Sequence, residues 1–272
     1  MPRYAAPEGA AAIPRRALHV FYVLDTSGSM AGLPIETLNQ AMGETVRALK
    51  KVSQHNGNAE LKVAVLDFNS NCRWMNPAGP VSAEDFVWED LQAYGLTSMG
   101  AALRELTSKL SRDEFLESMT GAFLPIIVFM TDGFANDDWE KALAEAEKNN
   151  WFRKATRIGF AIGTNPDVDM IARLAGTKEA VIRTDDLALF AKLLRFASVS
   201  SSMLVSQSNV AQSEYTGASA VRQALSEEGV NPAMVIPGYD PSAAVANDDL
   251  SWSVGGTSGA SQWIEPDDDD WA

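Results

Sequence analysis

Short apolar runs alternate with helical patterns between residues 18 and 199, and this alternation is the strongest constraint on the fold. The apolar runs at 18–24, 61–68, 123–130 and 155–162 are nearly continuous, as strands buried on both faces of a sheet should be. Between them, apolar side chains recur at helical spacing. Alternating strands and helices predict an α/β fold with a mostly parallel central sheet and helices on both faces.

Turn and capping signals set the approximate limits of the other elements. Pro34 suits the first turn of a helix that runs to about Val52, and Thr97 with Ser98 can cap a helix over 99–110. A turn at 67–71 predicts that 72–75 returns as one short antiparallel edge strand. The remaining predicted elements are helices at about 138–149, 168–175 and 187–199 and a strand at 180–183.

The composition changes at both ends of this pattern. Residues 1–17 are rich in Ala and Pro and are predicted to form a flexible leader before a domain at 18–199. Residues 200–272 form an acidic low-complexity tail, rich in Ser, Ala, Gly and Asp, which we expect to be largely disordered. Within this tail, residues 218–228 are compatible with a short helix.

Charge and cysteine content exclude several classes of protein. The net charge is −14, and from Ser201 onward eleven acidic residues accompany one basic residue, Arg222. A tail of charge −10 would be repelled by nucleic acid and by anionic membranes, so neither is an expected partner. Cys72 is the only cysteine, so the chain cannot form an internal disulfide, which fits a reducing compartment. No run approaches the roughly 20 apolar residues of a membrane span. We therefore predict a cytoplasmic location.

Three separated segments supply oxygen ligands at the predicted strand ends or helix starts. Asp25-Thr26-Ser27-Gly28-Ser29 follows the first strand, Thr97 precedes a helix, and Asp132 follows the strand at 123–130. Ligands in open α/β sheets sit beyond the carboxyl ends of the strands, so these side chains should converge. Carboxylate and hydroxyl oxygens without nitrogen or sulfur suit a hard cation such as Mg²⁺, although Mn²⁺ or Ca²⁺ also fits.

The same residues resemble those of the von Willebrand factor type A domains. Residues 25–29 match the D-x-S-x-S motif of that family, and Thr97 and Asp132 match the other two elements of its metal-ion-dependent adhesion site. The resemblance covers about 18–199 and implies a Rossmann-like fold with a complete adhesion site. It implies that Asp25, Ser27, Ser29, Thr97 and Asp132 hold the metal, and that a partner protein's Asp or Glu completes the coordination. No enzymatic activity is implied.

Within that family, the sequence is most similar to the TerY-like proteins of bacterial tellurium-resistance clusters. The resembling phrases lie at 33–39, 95–103 and 129–133. This similarity implies a role in a stress-response system, with a protein kinase and a protein phosphatase as associated partners.

Two other functions compete with metal-dependent binding. In a phosphohydrolase of the haloacid dehalogenase type, Asp25 would be the nucleophile and Asp132 would bind Mg²⁺. However, Ser27 stands where such enzymes usually carry an acid/base aspartate, so a general acid is missing. In a purely structural adaptor, the metal would only stiffen the edge of the sheet.

The tail ends in an acidic run flanked by aromatic residues, Trp263-Ile264-Glu265-Pro266 followed by four aspartates and Trp271. One interpretation is a solvated terminus that aids solubility. The other is a docking segment at 263–272, because aromatic anchors beside carboxylates are typical of binding peptides. Such a segment would bind a basic groove of a partner or offer a carboxylate to a metal site, its own or a neighbour's.

Overall fold

A computed structural model describes residues 15–118, 121–207 and 216–239, and it contains the predicted central sheet. Seven strands are present in this part of the chain. They are β1 Arg16–Asp25, β2 Ala59–Phe68, β3 Cys72–Trp74, β4 Val81–Ser82, β5 Ile126–Thr131, β6 Thr156–Ile162 and β7 Val181–Thr184. The main strand order is β3-β2-β1-β5-β6-β7, with β4 also paired to β2.

The pairing of the strands confirms the predicted mixed sheet. β2, β1, β5, β6 and β7 run parallel to one another, and β3 runs antiparallel to β2. The sequence did not predict β4, which also pairs antiparallel with β2. With two residues, β4 is too short to show the alternation by which a strand is recognised in a sequence.

Helices cover both faces of the sheet, as predicted. On one face, α1 (Leu33–His55), α6 (Leu187–Gln207) and α7 (Gly217–Glu227) pack over Leu18, Val20 and Tyr22 of β1. The other face, which includes Phe21 and Val23, is covered by α2 (Met99–Lys109), α3 (Trp139–Ala146), α4 (Asn150–Lys154) and α5 (Val168–Ala175). The short α8 spans Pro232–Val235. None of the helices described here is long and apolar enough to cross a bilayer.

The folded region extends beyond the limits expected from the sequence. Strand β1 starts at Arg16, inside the expected leader, and α6 continues eight residues past the expected domain end, to Gln207. The hydroxyls of Ser198, Ser201 and Ser202 donate to carbonyls one turn earlier in α6, which allows these serines to be buried. Because these serines give the segment the polar composition of a tail, the apolar pattern in the sequence did not indicate this part of the helix.

Helix α7 belongs to the core and not to a disordered tail. Ala220, Val221, Ala224 and Leu225 are fully buried in the same cluster as β1 and α6. The first residue of α7 needs a glycine, because a Cβ on Gly217 would lie 1.7 Å from the Arg157 carbonyl oxygen. The expectation of disorder is therefore wrong for 200–207 and 216–239. The rest of the leader and the proposed docking segment at 263–272 lie outside the described residues.

Candidate metal centre

The structure places all five predicted ligands at the sheet edge formed by the carboxyl ends of its parallel strands. Asp25 ends β1, and Asp132 directly follows β5, which is paired in parallel with β1. Ser27 and Ser29 belong to the loop after β1, where Gly28–Met30 forms a single 3₁₀ turn. Thr97 lies in the loop before α2, and the backbone N–H of Gly28 donates to the Gly95 carbonyl in that loop at 3.0 Å.

Asp25 is fully buried and held at both carboxylate oxygens. Its Oδ1 accepts the backbone N–H of Ser27 at 2.7 Å, and its Oδ2 accepts the hydroxyl of Thr131. Burial raises the pKa of Asp25, and the hydrogen bonds from Thr131 and Ser27 oppose that rise in part. The side chain is therefore fixed in one orientation, and its charge costs free energy unless a cation is near.

A chain of hydrogen bonds connects the two serines to the second carboxylate. The Ser27 and Ser29 hydroxyl oxygens are 3.1 Å apart, and the Ser29 hydroxyl donates to Asp132 Oδ1 at 2.7 Å. Burial also raises the pKa of Asp132, against the hydrogen bond from Ser29. A side chain at residue 28 would crowd this turn, because a Cβ there would lie 3.3 Å from the Gly95 carbonyl oxygen.

Thr97 is held in place by the loop that carries Asp132. Its backbone N–H donates to Asn136 Oδ1 at 2.9 Å, and its carbonyl accepts the Asn136 N–H, also at 2.9 Å. Thr97 is buried, whereas Ser29 is exposed and Asp132 is half-buried. Asp25 and Thr97 therefore form the buried side of the centre, and Ser29 and Asp132 form the side that is open to solvent.

These residues suit a hard divalent cation. Neither Asp25 nor Asp132 forms an ion pair with any lysine or arginine that the structure describes. Two carboxylates with raised pKa values and three neutral hydroxyls favour an ion that prefers oxygen ligands. No group of three or more His, Cys, Asp or Glu able to hold a metal occurs among the described residues, so this centre is poor in carboxylates.

Sequence reasoning missed the residues that support the centre. Thr131 is the residue that binds Asp25 Oδ2, and its position directly before Asp132 was the available signal. The Thr26 hydroxyl donates to the Phe68 carbonyl and accepts a hydrogen bond from Asn69, which ties the β1 and β2 strand ends together. Asn136 orients Thr97, as described above.

The prediction that Thr97 and Ser98 cap α2 through their side chains is wrong. Ser98 occupies the N-cap position but its side chain makes no capping hydrogen bond. Instead, the Asp137 carboxylate accepts the backbone N–H groups of Gly100 and Ala101, both at 2.9 Å. A carboxylate from another loop thus stabilises the positive end of the helix, and it fixes that loop to α2.

His19 and Cys72 are two reactive side chains that the structure describes outside the metal centre. Both ring nitrogens of His19 are buried in β1 without a hydrogen-bond partner, and burial lowers its pKa to about 3. Burial raises the pKa of Cys72 to about 11, and the nearby carboxylates of Glu105, Asp137 and Asp67 contribute to this rise. A neutral buried imidazole and a protonated thiol are poor starting points for nucleophilic catalysis at neutral pH.

Comparisons with known proteins identify relatives of the chain and structures that share its fold. The family model for the von Willebrand factor type A domain matches residues 19–195. Proximal thread matrix protein 1 from the mussel byssus is 19% identical with a TM-score of 0.51, over 68% of this chain and 48% of that one. A second structure of that protein, with a zinc-occupied MIDAS (metal-ion-dependent adhesion site) motif, is 17% identical with a TM-score of 0.50 over the same shares.

A bacterial structure shows the same fold at still lower identity. The pilus adhesin SpaC from Lactobacillus rhamnosus GG, in its open conformation, is 10% identical with a TM-score of 0.52, over 68% of this chain and 30% of that one. The chain thus spans about half of the mussel protein and less than a third of the adhesin. No significant match to a curated protein sequence was found.

Proposed function

The chain belongs to the von Willebrand factor type A domain family, and from this premise we propose that it is a metal-dependent protein-interaction module. The observation that carries the proposal is the convergence of Asp25, Ser27, Ser29 and Asp132 through hydrogen bonds at one sheet edge. The partner would be a protein that presents an Asp or Glu side chain to this edge. We propose that the chain is not an enzyme.

Each residue of the centre has a separate role in this proposal. The hydroxyls of Ser27, Ser29 and Thr97 would bind the cation directly, and Asp25 and Asp132 would act mainly through water molecules. A divalent cation held by so few anionic ligands retains positive charge and favours one further carboxylate. Thr131 and Asn136 fix Asp25 and Thr97, so the site needs little reorganisation when the partner binds.

The geometry argues against the phosphohydrolase alternative. A nucleophilic aspartate must present a free carboxylate oxygen to its substrate. Asp25 is fully buried, and both of its oxygens already accept hydrogen bonds from protein groups. A purely structural adaptor is less favoured, because Ser29 and half-buried Asp132 leave the outer side of the centre open to solvent.

The wider setting is also a proposal. We propose Mg²⁺ as the ion, with Mn²⁺ or Ca²⁺ as alternatives, because the ligands are all oxygens. The similarity of residues 33–39, 95–103 and 129–133 to TerY-like proteins supports a cytoplasmic role in a stress response related to tellurium resistance. A protein kinase and a protein phosphatase are the partners that this similarity suggests.

Affinity capture with and without a chelator tests the function. The full chain with Mg²⁺ is expected to retain a protein partner, and EDTA, Asp25→Ala or Asp132→Ala should each release it, since all three remove the cation. The partner, identified by mass spectrometry, is then expected to lose binding when its docking Asp or Glu is changed to Asn or Gln. Capture that is indifferent to EDTA and to both substitutions would contradict the mechanism.

A further inference from the structure

Several exposed apolar side chains belong to the loops that carry the candidate metal ligands. Leu33, Tyr94, Leu96 and Phe134 are 65%, 59%, 60% and 55% exposed. They are four of the seven large hydrophobic residues that stand exposed in the described parts of the chain. We call these four residues the apolar collar. Apolar side chains concentrated around one site, rather than scattered singly, mark an interaction surface.

Each collar residue is held by a loop that also carries a predicted ligand. Leu96 directly precedes Thr97, and Phe134 follows Asp132 by two residues. The Tyr94 backbone N–H donates to the Thr26 carbonyl at 2.8 Å, and Leu33 begins α1 after the loop with Ser27 and Ser29. A ligand at the metal centre is therefore close to the loops that present the collar. The surface fits a segment in which carboxylates stand beside large apolar groups.

The chain itself contains a segment with this chemistry. Residues 263–272 carry five carboxylates, those of Glu265 and Asp267 to Asp270, together with Trp263, Ile264 and Trp271. The whole stretch 240–272 contains eight acidic residues and no lysine or arginine. An anionic segment with indole side chains complements a cation beside exposed apolar side chains.

The described part of the chain ends near the carboxyl ends of the strands, where the metal centre also lies. Met234 and Val235 of α8 line a cavity together with Gly163, Thr184 and Asp185, which follow or end β6 and β7. These are the carboxyl ends of strands parallel to β1 and β5, so α8 lies at the same sheet edge as the metal centre. The ends of β7 and β1 are three strand spacings apart, or about 15 Å.

The connection is more than long enough to reach the centre. Tyr239 is partly buried against the core, and Trp263 follows it by 24 residues. A chain of that length spans at most about 80 Å, several times the separation of the strand ends. A tethered segment of this kind has an effective concentration of the order of millimolar, so a weak contact is sufficient for occupancy.

We propose that residues 263–272 dock on the metal centre of their own chain, with a carboxylate as the added ligand and with the tryptophans on the apolar collar. This inference rests on the proposed function, because it needs the cation. Without a cation, Asp25 and Asp132 repel an acidic segment, so docking depends on the metal. The segment then occupies the position that an external protein carboxylate needs, and a partner must displace it.

The test compares the full chain with a full-length variant in which only the docking carboxylates are neutral. The variant carries Glu265→Gln and Asp267→Asn, Asp268→Asn, Asp269→Asn and Asp270→Asn. The matched control carries Asp240→Asn, Asp248→Asn and Asp249→Asn, which removes acidic residues elsewhere in the same stretch. The probe is a synthetic peptide of residues 263–272, titrated into each chain by calorimetry in Mg²⁺ and in EDTA.

The expected result is that the variant binds the peptide about tenfold more tightly than the full chain and the control do. The reason is that a tethered competitor at millimolar effective concentration blocks the site in those two chains. EDTA should abolish peptide binding throughout. In the variant, adding Leu96→Ser and Phe134→Ser should weaken peptide binding, whereas Met203→Ser, on exposed α6 surface, should not.

Four outcomes would overturn the inference. Equal peptide affinity in the three chains, or no peptide binding by a variant that still binds Mg²⁺, would remove it and leave the proposed function intact. A full chain that binds no Mg²⁺ at all would remove both. Sedimentation should show a Mg²⁺-loaded monomer; a Mg²⁺-dependent dimer that the variant cannot form would place the segment on a neighbouring copy instead.

Discussion

At the scale of single residues, the metal centre combines predictable ligands with unpredictable supports. Asp25, Ser27 and Ser29 follow one another within five residues, so the motif itself indicates their common role. The hydroxyl of Thr131 and the side chain of Asn136 act on residues that lie 106 and 39 positions away in the sequence. Such contacts depend on which strands become neighbours, so a local pattern can mark the position of Thr131 but not its partner.

His19 is expected to make the folded state sensitive to acid. Its pKa is lowered from 6.5 to about 3 by burial and then by Lys62, so the folded chain keeps the ring neutral. The unfolded chain takes up a proton below about pH 6.5, and the folded chain does not until about pH 3. His19 therefore favours folding fully above pH 6.5, and this contribution is lost as the pH falls towards 3.

Denaturant unfolding of the His19→Leu variant between pH 7 and pH 4 measures this effect. The wild type should lose up to about 1.4 kcal/mol of unfolding free energy per pH unit more than the variant does. His55→Gln, at an exposed position in the last turn of α1, is the matched control and should follow the wild type. Parallel curves for wild type and His19→Leu would show that the ring is not buried in its neutral form.

At the scale of elements, the long apolar runs were predictable and the serine-rich helix end was not. β1, β2, β5 and β6 are buried on both faces, which leaves a nearly continuous apolar run in the sequence. The last turns of α6 bury several serines, and α7 buries a glycine and three alanines beside Val221 and Leu225. Small residues allow close packing but resemble a low-complexity tail in composition.

Leu225→Ala tests whether α7 belongs to the folding unit. Leu225 is fully buried in the cluster that also contains β1, α1 and α6. Its truncation leaves a cavity and should lower the free energy of unfolding by about 2–5 kcal/mol. Met234→Ala, at a side chain that is 76% exposed, is the control and should change it by less than about 0.5 kcal/mol. An unaffected Leu225→Ala variant would mean that α7 folds apart from the sheet.

At the scale of the whole molecule, buried negative charge at the sheet edge links folding to cation binding. Asp25 and Asp132 both have raised pKa values, because burial is only partly offset by their hydrogen bonds. In the absence of a cation, ionising them opposes folding at neutral pH. A cation at this edge binds the folded chain and has no assembled site in the unfolded chain.

Mg²⁺ is therefore expected to raise the thermal unfolding midpoint of the full chain. At a free Mg²⁺ concentration one hundred times Kd, the stabilisation is about 2.7 kcal/mol. For a domain of this size, that corresponds to a shift of roughly 5–10 °C. Scanning calorimetry with Mg²⁺ and with EDTA measures it, and Asp132→Ala should show no comparable shift. An equal shift in both chains would place the ion elsewhere.

The sequence by itself determined the α/β class, the parallel sheet and the short motif at 25–29, because periodicity and adjacent residues express those features locally. Only the tertiary structure decided that α7 joins the core, that Asp137 caps α2, and that the four collar residues in the ligand loops remain exposed. These depend on contacts between residues far apart in the chain. Burial and long-range hydrogen bonds arise only when the strands are ordered in space.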